Sequence, residues 1–147
     1  MKRASLGFIL LVVAGLLSVA GAVQQSVTAQ GRAYVSGGVS DDERLEMQTH
    51  RDRYSLWVLT AARKSGAYLS NVHVLITDMH KTVVFDAPID GPWLFVDLPI
   101  GRYTVQATYQ GETQSRVTTI HQGDHHQAIF YFETGDTTSV SSDMSPR

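Results

Sequence analysis

The sequence predicts an all-β protein, a seven-stranded antiparallel β-sandwich with one short N-terminal helix. The segment Leu98–Val105 joins a proline and glycine turn directly to a strand. Pro99 presets φ for a tight turn, Gly101 can adopt the left-handed conformation that closes it, and apolar or aromatic residues then recur with period two. Short segments of this kind follow one another at intervals of about ten residues, which is typical of a sandwich.

The helix is predicted over Asp41–His50. Ser40 is the expected N-cap and Glu43 completes a capping box, in which the two residues satisfy N–H groups at the start of the helix. Acidic side chains in the first turn favour the positive end of the helix dipole. The apolar content is small, with Leu45 and Met47 as its main members, so we expect the helix to lie on the surface of the sandwich.

The strands are predicted from alternating patterns bounded by turn residues. The clearest is Arg102–Tyr109, which a turn at 110–112 joins to the next strand as an antiparallel hairpin. The segment at Tyr54 has apolar residues on both faces, as central strands do. The seven predicted strands are Tyr54–Ala61, Val72–Thr77, Thr82–Asp86, Trp93–Leu98, Arg102–Tyr109, Thr113–Ile120 and Gln127–Phe132.

The first part of the chain, residues 1–22, has the pattern of a secretory signal peptide. Lys2 and Arg3 precede an uncharged run rich in leucine, valine and alanine, and small residues end it. Cleavage is expected after Ala22. Two alternatives are a second small-residue site after Ala29 and an uncleaved signal anchor, since the run is about long enough to span a bilayer.

The remainder is predicted to contain one domain. Residues 23–38 are expected to form a flexible leader, residues 39–133 the sandwich, and residues 134–147 a disordered polar tail. The chain has no cysteine, which excludes disulfides, thiol catalysis and thiolate metal sites. A small exported domain without disulfides favours a bacterial protein, periplasmic or secreted.

The charge balance disfavours nucleic acid as a partner. Signal removal takes away two of the twelve basic residues, so ten face fourteen acidic ones, a formal net charge of −4 with neutral histidine. Phosphate binding requires a basic excess, which this chain lacks. No stable membrane span is expected once the signal peptide is cleaved.

Four segments have an arrangement found in a known family: Ser36–Arg44, Gly66–Ile76, Asp90–Leu98 and Pro99–Val105. They resemble the bacterial carboxypeptidase regulatory-like domains, which share the immunoglobulin-like, transthyretin-like (prealbumin-like) β-sandwich. The resemblance covers most of Ser36–Glu133. It implies a transthyretin-like fold and an accessory module that aids folding, anchoring or binding, although this fold hosts many functions.

The same fold includes transthyretin-like hydrolases of hydroxyisourate, which makes hydrolysis the enzymatic alternative. Those enzymes end in a tyrosine, arginine, glycine, serine tetrapeptide, whereas the present sequence ends in SDMSPR. The sequence therefore predicts a protein that is not an enzyme and needs no cofactor.

Three histidines, His121, His125 and His126, form the one cluster with metal-binding chemistry. Neutral imidazoles bind zinc or copper, but this spacing matches no specific metal motif. Adjacent residues also point to opposite faces once a strand begins. A solvated loop without metal is the favoured interpretation, and the alternative is a small metal-binding or hydrolytic protein that uses these three residues.

Trp93 is the candidate binding residue, because it follows Pro92 at the end of a loop; the alternative is a lid over the core. The predicted function is a non-enzymatic exported accessory domain that binds another envelope protein or a polymer through loops or an edge strand. A homo-oligomer is a further expectation, since one sandwich does not fully cover the face of Ala128, Phe130 and Phe132.

Overall fold

A computed structural model describes residues 23–135 as two β-sheets packed face to face, with one α-helix on the outside. The predicted all-β sandwich is therefore confirmed. The strand count is wrong, because the described residues contain nine strands rather than seven. The predicted signal peptide and residues 136–147 of the predicted tail lie outside the described residues.

The chain crosses between the two sheets four times: β1 to β3, β6 and β9 lie in one sheet, and β4, β5, β7 and β8 in the other. A five-stranded sheet has the order β1-β2-β6-β3-β9 and a four-stranded sheet the order β5-β4-β7-β8. Strand β9 runs parallel to β3, so the prediction of a wholly antiparallel sandwich is wrong. The bounds are β1 Ser26–Val27, β2 Ala33–Gly37, α1 Asp41–His50, a 3-10 turn Arg51–Arg53, β3 Leu56–Ala62, β4 His73–Asp78, β5 Val83–Pro88, β6 Trp93–Val96, β7 Gly101–Tyr109, β8 Glu112–Ile120 and β9 His126–Phe132.

The two strands missed by sequence reasoning are β1 and β2, and they lie in the segment expected to be a flexible leader. Strand β2 is an internal strand that pairs with β6 from Tyr34↔Val96 to Gly37↔Trp93. All four residues of β6 are buried, so β2 covers an edge that would otherwise expose them. The prediction of a flexible leader is wrong for β2, because pairing with β6 and the buried side chain of Val35 hold this segment in the sheet.

Helix α1 begins and ends where the sequence predicts. Ser40 Oγ accepts the Glu43 N–H at 3.2 Å, and the Glu43 carboxylate accepts the Val39 N–H at 2.8 Å. Met47 is buried and packs α1 against the outer face of the five-stranded sheet, whereas Leu45 is exposed. The helix thus lies on the surface of the sandwich as predicted. No helix within residues 23–135 has the length and apolarity needed to cross a membrane.

Strand β7 has the predicted alternation, with Tyr103, Val105 and Ala107 buried between the sheets. The Tyr103 hydroxyl donates to the Pro99 carbonyl at 2.8 Å, which ties the turn to the strand. Gly101 has a positive φ of 158°, which residues with a side chain rarely adopt, although it is not the left-handed helical conformation that the sequence predicts. Burial raises the pKa of Tyr103 above its ordinary value.

The predicted hairpin between β7 and β8 is confirmed, with Tyr109 paired to Glu112. Gln110 and Gly111 have φ of 48° and 83°. Two successive positive φ values are the signature of the tight turn whose twist matches that of the strands it joins. This hairpin places β8 at the edge of the four-stranded sheet.

Candidate functional site

His125 is held against the domain by two neighbouring residues. Its Nδ1 lies 2.9 Å from the Tyr54 carbonyl oxygen, and its ring stacks on Trp57 with a centroid distance of 5.4 Å. Burial raises the pKa of Tyr54, so this part of the surface favours a neutral phenol. The imidazole of His125 thus fastens the loop before β9 to the segment after α1.

The other two histidines lie apart from this contact. His121 is exposed, and His126 Nε2 is 3.7 Å from the Asp124 carboxylate. Over residues 23–135, no three histidine, aspartate or glutamate side chains converge as a metal site would require. The structure therefore does not bring the three sequence candidates together.

Trp93 is 6% exposed, so the structure places it in a packed position and not at an open loop tip. Its ring stacks on Phe95 with centroids 5.9 Å apart and meets Tyr68 edge-on at 6.3 Å. The indole Nε1 is buried without a hydrogen-bond partner among the described residues. A buried unpaired donor costs about 1–3 kcal/mol, so this N–H is a ready position for an acceptor.

An aromatic pocket of about 160 Å³ lies on the outer face of the five-stranded sheet, beside α1. The Arg51 guanidinium lies 5.1 Å from the Trp57 ring centroid, so a cation borders the aromatic wall. Apolar walls with a few polar groups are typical of small-ligand sites. Its lining is Gln48, Arg51, Trp57, Leu59, Trp93, Phe95 and Gln127.

Strand β9 forms one edge of its sheet, and its outer side has backbone groups that β3 does not use. The His126 N–H donates to the Ser55 carbonyl and the Arg63 N–H to the Phe132 carbonyl, both at 2.8 Å. These bonds fix the parallel ladder, in which the even-numbered residues of β9 bond to β3. The odd-numbered residues therefore direct their N–H and C=O groups to the open edge: Gln127, Ile129 and Tyr131.

A groove of about 670 Å³ lies between the edges of β8 and β9. At one end, Gln114 Nε2 donates to the Tyr131 carbonyl oxygen at 2.6 Å, which bridges the two sheets. Further along the groove, the Arg116 guanidinium lies 5.4 Å from the Phe130 ring centroid. The groove is lined by Ser115, Arg116, Val117, Thr118, His126, Gln127, Ala128, Ile129 and Tyr131.

The other three edges carry features that hinder pairing with another chain. Strand β1 has only two residues. Strand β5 has a register irregularity, ends at Pro88, and has its Val83 carbonyl occupied by the Gln30 side chain. Strand β8 turns Arg116 toward the inside of the sandwich. Short strands, bulges, proline and inward charge all block strand addition, and β9 has none of them.

Comparison with known proteins leaves the family open, since neither a protein-family model nor a curated protein matches the chain. The resemblance to carboxypeptidase regulatory-like domains therefore stays a prediction.

Proposed function

We propose that the protein is a non-enzymatic exported accessory domain that binds an extended segment of a partner envelope protein by adding it as a strand to β9. The observation that carries this proposal is the open edge of β9, where Gln127 and Ile129 border the groove. In strand addition the main chain supplies affinity and side-chain pockets supply specificity. Both components are present at this edge.

The backbone groups available at the β9 edge supply part of the binding free energy. The N–H and C=O of Gln127 and Ile129 and the N–H of Tyr131 could accept a partner strand, because the Tyr131 carbonyl is already bonded to Gln114. Each hydrogen bond contributes about 0.5–1.5 kcal/mol net, which by itself is offset by the loss of freedom on association. Side-chain contacts in the groove must supply the remainder, and Ile129 and the 57% exposed Val117 provide apolar surface for them.

Charge in the groove favours a partner segment with an acidic side chain. Within the described residues, no carboxylate lies within ion-pair distance of Arg116, although it lines the groove. An arginine presents a fork of donors that matches a carboxylate. A strand laid along β9 with an aspartate or glutamate facing β8 would supply that partner.

A proline variant tests the proposal. Ile129→Pro removes one outward N–H without touching the β3 ladder, and Ile129→Val keeps both the N–H and a β-branched apolar side chain. With these proteins as bait in envelope extract, we expect one specific partner to be retained by wild type and Ile129→Val and lost with Ile129→Pro. Equal capture by all three, or no specific capture by wild type, would contradict strand addition.

Two further measurements identify what binds at the edge of β9. A peptide from the captured partner should slow hydrogen exchange at the amides of Gln127 and Ile129, and not at the β5 edge. Light scattering of the purified protein separates a foreign partner from a second copy. If wild type alone is dimeric and Ile129→Pro is monomeric, the strand that β9 accepts comes from the same protein.

A polymer ligand is the second candidate, and the aromatic pocket favours it. Aromatic rings have a negative face that attracts the C–H edge of a sugar ring, and Arg51, Gln48 and Gln127 offer hydrogen bonds around it. Titration with soluble N-acetylated cell-wall disaccharides should change tryptophan fluorescence in wild type and not in Arg51→Ala. An unchanged spectrum of wild type at millimolar ligand would contradict this candidate.

A further inference from the structure

The backbone nitrogen of Val23 lies against a carboxylate. The Val23 nitrogen is 3.3 Å from both Oε1 and Oε2 of Glu46 in the middle of α1. The side chain of Val23 is half-buried and packs against the cluster beneath α1 that includes Val35, Met47 and Tyr54. Two equal contacts to one carboxylate are more than a single amide hydrogen satisfies well.

We infer that a signal peptidase cleaves the chain between Ala22 and Val23, and that the new α-ammonium group of Val23 forms an ion pair with Glu46. The inference rests on the export that forms part of the proposed function. In the cleavage, water adds across the peptide bond and the C–N bond breaks. Ala22 leaves with the carboxylate, and the amine of Val23 takes up a proton to become an ammonium.

An ammonium group suits this position better than the amide. It has three hydrogens, so it can donate to both oxygens of Glu46, and its charge makes each bond shorter and stronger. Within the described residues, no lysine, arginine or histidine side chain forms an ion pair with Glu46. The carboxylate is therefore available for the new terminus.

The same geometry separates the two candidate cleavage sites. Cleavage after Ala29 would remove β1, which pairs with β2 through Ser26↔Tyr34 and Val27↔Ala33. It would also remove Val23 from the cluster under α1. Cleavage after Ala22 keeps both contacts and adds a charged one.

Other titratable groups face the same position and bear on its pH dependence. A cavity of about 190 Å³ beside Val23 is lined by Glu46 and His50 of α1, Arg53 of the 3-10 turn and Tyr54, with Gln25 opposite. Arg53 and protonated His50 have the sign of the ammonium, so they weaken its pairing. Glu46 is the one carboxylate among the lining residues of this cavity, and its removal should leave the ammonium without an opposite charge.

Two measurements on the exported protein test the inference. N-terminal sequencing or intact mass should identify Val23 as the first residue. A chain that begins at Gln30 overturns the inference and leaves strand addition at β9 untouched. A chain that begins at Met1 overturns it together with the export on which it rests.

The second measurement is the pKa of the α-amine by NMR in wild type, Glu46→Gln and Asp42→Asn. Asp42→Asn removes the same charge from an exposed position on the same helix. We expect a pKa above the ordinary value of about 7.7–8.0 in wild type and Asp42→Asn, and a return toward it in Glu46→Gln. A raised pKa means stabilisation that is present at lower pH and lost as the pH rises through the raised value, so the difference in Tm between wild type and Glu46→Gln should shrink there. Equal pKa values in all three proteins would overturn the ion pair.

Discussion

Strands β8 and β9 border the same groove, yet they expose their edges in opposite ways. On β8, the residues opposite the buried side chains of β7 point into the sandwich, and they are polar. An added strand on β8 would bury this polar row, which is one way that sheets prevent edge-to-edge pairing. The inward residues of β8 that pair with Ala107, Val105 and Tyr103 are Gln114, Arg116 and Thr118.

Strand β9 has the reverse arrangement. Its inward side chains Ala128, Phe130 and Phe132 are buried at 6%, 0% and 0% exposure, and they anchor the strand to the core. The expectation that one sandwich leaves this face partly uncovered is therefore wrong, because the facing sheet covers it. Strand β9 has no inward-pointing charged side chain, no proline and no bulge that would block its free backbone groups. A sandwich can thus block one edge strand with an inward-pointing charge and leave the neighbouring edge strand free to pair with a partner. This requires that buried side chains hold the free strand in place.

The largest expected effect comes from breaking that inner anchor. Phe130→Ala removes a fully buried ring, and such changes cost about 3–5 kcal/mol in the free energy of unfolding. Tyr131→Ala is the matched control, since Tyr131 is the next residue, points outward and is 41% exposed. Urea unfolding measures both. Similar losses in the two variants would show that β9 is not anchored from inside.

Two single proline substitutions test which backbone N–H groups of β9 are free. Ala128→Pro removes an N–H that the ladder assigns to β3 and leaves a buried acceptor unpaired, so we expect a loss of at least about 1–3 kcal/mol. Ile129→Pro removes an N–H that points to the open edge and leaves the ladder intact, so its cost should be clearly smaller. Both substitutions introduce proline into the same strand, so the low strand propensity of proline affects both variants and does not account for a difference between them. Equal destabilisation would mean that the even-odd assignment is wrong.

The parts of the fold that sequence predicts are those with local signals. The capping residues Ser40 and Glu43 fix the start of α1, and Gln110 with Gly111 fixes the β7–β8 hairpin. The alternation of β7 is visible because one of its faces is buried and the other is not. In each case the physical cause lies within a few residues along the chain.

The open edge of β9 and the aromatic pocket depend on residues that are far apart in the chain. Strand β2 is stabilised by pairing with β6, some sixty residues away in the chain, and β9 takes its parallel place beside β3. Sequence reasoning singled out Trp93 and the histidines by residue type. It had no signal for which edge of the sandwich would be left free, since that depends on the order of strands in both sheets.

A smaller effect is expected where the two edges are bridged. Gln114→Ala removes the hydrogen bond to the Tyr131 carbonyl, which is worth about 0.5–1.5 kcal/mol. Arg63 Nη2 also lies 3.3 Å from that oxygen, so the loss should fall at the low end. Hydrogen exchange at the end of β9 should become faster. The loop variant Gln122→Ala is the control, and an equal change there would show that Gln114 does not hold the edges together.

The smallest change in stability, and the most direct test of the contrast between the edges, comes from Arg116→Val. It removes a cation–π contact with Phe130 worth about 0.5–1 kcal/mol, and valine partly offsets this through its preference for strands. With Arg116 replaced, β8 keeps the polar Gln114 and Thr118 but loses its inward charge, so its edge should pair more readily and the average mass in sedimentation should rise with protein concentration. Arg102→Val makes the same charge change on β7, an interior strand, and should stay at the mass of wild type. If Arg116→Val also keeps that mass, inward charge is not what closes β8, and the difference between the two edges must lie in their pairing geometry.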